Sequence, residues 1–154
     1  MNSPFDFREV DKAFACFDQP SSYIDPDLYE PERDDYEQML GGKPREQLTA
    51  IDFGTSAWGP LCYLTPAAKA YLLPRLMELA APDSRDKAGD LFMMQFINHF
   101  SDGPRHASLS LLNASQRAVV AAFLEHLARE HGELVAQECW DDVLAESIRN
   151  WRGV

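Results

Sequence analysis

Apolar residues in this chain recur every three or four positions, the period of helices with one buried face. Phe7, Val10, Phe14 and Phe17 make the first such run. Ser3-Pro4-Phe5-Asp6 reads as its start, with Ser3 as N-cap and proline in the first helical position, and Asp18-Gln19-Pro20 ends it. Between Pro31 and Gly41-Gly42, a short helix would turn Tyr36, Met39 and Leu40 inward. Residues 43–63 look irregular. Thr65-Pro66 then opens a helix carrying Ala68, Tyr71, Leu72, Leu76 and Leu79; Pro74 removes one backbone hydrogen bond inside it, so a kink or break is expected there.

Residues 86–100 contain Leu91-Phe92-Met93-Met94-Gln95-Phe96-Ile97, apolar nearly all round, which predicts a central buried helix. After the loop 101–105, Asn113 and Gln116 form a capping box for a helix whose core face is Val119, Val120, Phe123, Leu124 and Leu127. Gly132 is its expected stop. A last helix over 133–151 places Trp140, Val143, Leu144, Ile148 and Trp151 on one stripe. The pattern predicts an all-α protein: one compact domain over residues 1–154, with five to six helices and an irregular acidic N-terminal third. A chain of 154 residues buries ~70% of its unfolded surface, enough for a sizeable core.

Charge changes the picture at one end. The net charge is −11, and the densest stretch, Asp25 to Glu37, sets seven carboxylates against Arg33 alone. Such a surface repels phosphates and anionic membranes, which argues against nucleic acid and membrane as partners and for a basic protein. No run approaches the ~20 apolar residues of a membrane span. The N-terminus lacks the basic and apolar segments of a secretory signal. Three scattered cysteines, Cys16, Cys62 and Cys139, read as reduced structural thiols, and cytoplasmic residence is the expectation.

Signatures of cofactor and metal chemistry are missing, so no cofactor and no metal site is expected. There is no phosphate-binding glycine loop with its lysine, no His-Glu-x-x-His and no Cys-x-x-Cys. The run Asp25-x-Asp27-x-x-Glu30 lacks the glycine of a calcium loop, and Tyr36 stands where the closing glutamate belongs. His126 and His131, five apart on one helix, should point about 140° apart. His99, Asp102, Arg105 and His106 are the one sequence-local gathering of His, Asp and Arg, and the loop holding them follows the most apolar segment.

Leu64-Thr65-Pro66-Ala67-Ala68-Lys69-Ala70-Tyr71-Leu72-Leu73-Pro74 resembles the central motif of a bacterial family of small uncharacterised proteins, and Leu112-Asn113-Ala114-Ser115-Gln116-Arg117-Ala118 through Phe123-Leu124 is similar to its second motif. Trp58, just upstream, also fits. The resemblance covers about residues 5–128 and leaves the C-terminal helix outside. It implies a shared fold and, since those motifs are caps and core positions, no catalytic residue.

Two main functional readings follow. The first is a non-enzymatic protein that binds a basic partner, in concrete form an immunity or antitoxin-like protein covering a basic toxin domain. Asp25, Asp27, Glu30, Asp34, Asp35 and Glu37 would be its electrostatic face, with Tyr29 and Tyr36 as anchors. The second is a small-ligand binder or enzyme using His99, Asp102, Arg105 and His106; it requires a concave pocket beside that loop and a histidine with shifted titration. A homo-oligomeric structural protein, self-associating through a spare apolar helix face, is the third.

Overall fold

Capping residues set where the helices begin. In the computed structural model, which describes residues 4–153, six α-helices occur among those residues: α1 (Phe7–Phe14), α2 (Arg33–Leu40), α3 (Pro66–Leu79), α4 (Phe92–His99), α5 (Ala114–Gln137) and α6 (Asp141–Arg152). Short 3₁₀ turns lie at Arg45–Gln47, Ala50–Phe53, Leu61–Tyr63 and Ala107–Leu109. The only β pairing among the described residues is two isolated bridges, Ile24 with Leu64 and Arg85 with Leu91. One cluster of buried side chains runs through every helix, from Val10 to Trp151.

The α1 cap differs from expectation. Asp6, not Ser3, takes the role, accepting the Arg8 N–H at 3.0 Å; Ser3 lies outside the described residues. Val10 and Phe14 are buried against α3 and α5. At α3, Thr65 Oγ1 accepts the Ala68 N–H at 3.1 Å, as its sequence predicts. Pro74, however, does not break α3, which runs unbroken to Leu79. A mid-helix proline costs about 3 kcal/mol. Here Leu72, Leu73 and Leu76 beside it are fully buried, so tertiary packing holds both halves together.

The apolar segment is shorter as a helix than its pattern suggested. Phe92 through Ile97 are all buried, but residues 86–91 form a turn instead of a helical lead-in. Buried Asp86 organises it, accepting from the N–H groups of Ala88 (2.8 Å) and Asp90 (3.1 Å) and from Gln95 Nε2 (2.8 Å).

The α5 capping box forms as read, with Asn113 and Gln116 exchanging side-chain and backbone bonds of 2.8 and 2.9 Å. Gln116 Nε2 also donates to Ala13 O at 2.9 Å, tying α1 to α5. Gly132 does not end this helix. The backbone departs from helical geometry at His131 (φ −129, ψ 18) and resumes to Gln137; the turn comes at Cys139, a non-glycine residue at φ 62. Gly132 is not left-handed, so it provides no C-cap, and the expected 133–151 helix splits into the end of α5 and all of α6. Trp140 is the N-cap of α6. Trp151 Nε1 donates to Phe100 O at 2.8 Å and Asn150 Nδ2 to Ser101 O at 2.8 Å, which docks α6 over the end of α4. No helix among the described residues is long and apolar enough to cross a membrane.

Candidate functional site

Lys69 stands on the inward stripe of α3, between Thr65 and Leu72, and is only 3% exposed. A lysine there is expensive unless its ammonium finds partners. Its Nζ donates to Ser108 Oγ at 2.7 Å, and among the described residues no carboxylate pairs with it. Ser108 sits on the Ala107–Leu109 turn. His106 caps that turn, its Nδ1 accepting the Ser108 N–H at 3.2 Å and lying 2.7 Å from Ser108 Oγ. With Nδ1 accepting, the imidazole is assigned the tautomer that carries its proton on Nε2. The Ser108 hydroxyl then accepts from Lys69 and donates to His106.

These groups line a cavity of about 240 Å³ together with Cys62, His99 and Asp102. His99, at the C-terminal end of α4, is the most perturbed. Burial pushes its pKa down to about 3, helped by the charge of Lys69 and by His106, and its Nε2 is buried with no hydrogen-bond partner. Burial likewise lowers Lys69 to about 8, a shift that Cys62 opposes. A second cavity of about 170 Å³, bounded by Tyr36, Phe53, Trp58 and Tyr63, shares Cys62, Asn98 and His99 as its wall.

Of the four loop residues singled out by sequence, His99, Asp102 and His106 meet in this cavity, and Arg105 is exposed and does not line it. Lys69, Ser108 and Cys62 were missed. Lys69 had a legible signal: a basic residue at the spacing of Thr65, Leu72 and Leu76, where the helix face is otherwise buried.

The Ser108 N–H and hydroxyl are both engaged by His106 Nδ1, and the hydroxyl also takes the Lys69 ammonium. A hydroxyl fixed between an ammonium and an imidazole is suited to holding a ligand.

The acidic segment is less uniform than its composition. Asp25, Asp27, Asp34 and Asp35 are exposed, Glu30 is half-buried, and Tyr29 is 100% exposed. Asp34 pairs with Arg33 at 3.1 Å, and Arg33 also donates to the carbonyls of Pro26 and Leu28. Glu37 turns inward, where its carboxylate accepts the N–H groups of Tyr23 (2.9 Å) and Ile24 (3.3 Å), which the lone Ile24–Leu64 bridge leaves without a backbone acceptor. Tyr36 is buried, stacked on Tyr63 at 4.9 Å, with its hydroxyl on Glu32 at 2.7 Å. Of the expected electrostatic face, Glu37 is therefore engaged with the Tyr23–Ile24 backbone, and Tyr36 is not available as a surface anchor. Burial and Glu32 together raise the Tyr36 pKa.

Two further readings need correction. The rings of His126 and His131 lie 5.9 Å apart rather than diverging, since the backbone leaves helical geometry at His131. All three cysteines are free and exposed, so none packs as a buried thiol.

The fold and site define an all-α, six-helix chain with a polar cavity at the junction of α3, α4 and the Ala107–Leu109 turn. The chain belongs to the Family of unknown function (DUF6714), whose model matches residues 9–152 and so takes in the C-terminal helix that the sequence motifs left out. No curated protein and no solved structure matches it.

Proposed function

We propose that this chain is a non-enzymatic binding protein that takes a small ligand in the cavity between Lys69, His99, His106 and Ser108. One observation carries the reading: Lys69, only 3% exposed, lines this cavity, and Ser108 is its one hydrogen-bond partner among the described residues. Buried charged groups are paired or fully hydrogen-bonded in the great majority of cases, so an ammonium with one bond at a cavity wall is suited to taking a ligand. At about 240 Å³ the space exceeds a single water site and falls below the ~300–1,000 Å³ of drug-sized pockets, which suits a ligand of a few heavy atoms. Three free, exposed thiols fit a reducing compartment, consistent with a cytoplasmic protein. The test is a nuclear magnetic resonance screen of the full chain with small neutral, cationic and anionic compounds. Saturable shifts at His99 and Ser108 support the reading; a screen in which no compound moves them ends it.

A second reading, an immunity-like protein that meets a basic partner such as a toxin domain, is favoured by Tyr29. A fully exposed aromatic ring flanked by the exposed carboxylates of Asp25, Asp27 and Asp35 suits cation–π and ionic contact with Arg or Lys. Replacing those three aspartates by lysine would abolish capture of a cationic partner at low salt. Unchanged capture would remove this reading and leave the first untouched.

A further inference from the structure

Lys69 brings a positive charge to the cavity wall that no carboxylate among the described residues pairs with. Its ammonium has three N–H donors, and Ser108 Oγ takes one of them. Among the described residues no Asp or Glu lies in ion-pair range of it. Asp102 also lines the cavity, but it is exposed, where water and salt screen its charge. Cys62, which also lines the cavity, is exposed as well. His106 faces Ser108 and presents an acceptor nitrogen to it. A buried cation left in this condition is satisfied best by an anion that brings its own acceptor oxygens.

We infer that the ligand of this pocket is a small oxyanion, a carboxylate or a phosphate, whose oxygens take the free N–H groups of Lys69. The inference rests on the binding reading above and names its ligand class. His99 lines the same cavity, so its ring resonances report on what enters there. Ser108 fixes the ammonium, and the His106 imidazole fixes Ser108, so the anion meets a preorganised cradle rather than a mobile surface lysine.

The experiment titrates the full chain with acetate and with inorganic phosphate, against chloride at matched ionic strength, acetamide as the neutral analogue of acetate, and methylammonium as a cation. The readouts are the resonances of His99, Ser108 and the Lys69 Cε carbon. Acetate or phosphate should saturate all three with a dissociation constant on the order of 1 mM or tighter, and the stronger of the two identifies the source of the oxyanion. In Lys69→Met the affinity should fall at least tenfold, with an unchanged circular dichroism spectrum. The Lys69 Cε response in the unaltered chain decides the matter without any variant, should Lys69→Met fail to fold. Binding of acetamide or methylammonium alone would overturn the oxyanion and keep the pocket. No response to any compound would overturn both. Oxyanion shifts that survive in Lys69→Met would also overturn the assignment, since they would show a surface effect independent of the buried ammonium.

Discussion

Lys69 Nζ and Ser108 Oγ lie 2.7 Å apart across 39 residues of sequence, and this bond joins α3 to the turn that follows α4. It places the charge of a helix otherwise devoted to the core at the wall of a cavity.

That charge should cost stability in the empty protein. The Lys69 pKa falls from 10.5 to about 8 on folding, so between those values the unfolded chain holds a proton that the folded chain has released. Stability should rise with pH through this window, and below about pH 8 the full penalty applies. Lys69→Met is expected to stabilise the chain at pH 7 by about 1–3 kcal/mol and to flatten the rise between pH 8 and 10.5. Urea midpoints across that range check both.

His99 acts in the opposite pH region. Its pKa drops from 6.5 to about 3, so the unfolded chain takes up a proton in acid before the folded chain does. Stability should therefore fall as pH drops from 6.5 towards 3, by up to roughly 1.4 kcal/mol per pH unit from this group. His99→Leu should remove that share of the slope, seen as a smaller acid shift in the urea midpoint than in the unaltered chain.

Carboxylates of the acidic segment should separate into two kinds. Glu37→Ala leaves the N–H groups of Tyr23 and Ile24 without their acceptor, at a cost of about 1–3 kcal/mol. Asp35→Ala removes an exposed charge and should change stability by less than about 0.5 kcal/mol. Equal effects in thermal melts would contradict the inward placement of Glu37.

Trp151, which is 2% exposed and bonded to Phe100 O, ties the C-terminal helix to the end of α4. Trp151→Ala should cost about 3–5 kcal/mol, and Trp151→Phe less, since the ring is kept and one hydrogen bond is lost. Chemical denaturation of the two variants gives the comparison.

Local signals in the sequence gave the helices and few of their ends. Thr65 and the Asn113–Gln116 box act over three residues, so their caps were legible, and so were the faces led by Leu72 and Val120. Pro74 and Gly132 misled, because packing around α3 and the kink at His131 override what either residue favours alone. At the site, the loop residues His99, Asp102 and His106 could be grouped by proximity in the chain. Lys69 could not, because it reaches them through tertiary packing. The helical spacing placed Tyr36 inward, where it stacks on Tyr63, but composition marked residues 25–37 as acidic without showing that Glu37 turns in to serve Tyr23.

The Gln116 bond to Ala13 spans 103 residues, and α1 beds against α5 around it. During synthesis the first helix therefore emerges long before its seat exists. At 5–20 residues per second, it waits roughly 5–20 s for α5, with α3 alone available to cover Val10 and Phe14 in the later part of that interval. A holding chaperone would be expected to engage α1 during that wait and let go once α5 is complete.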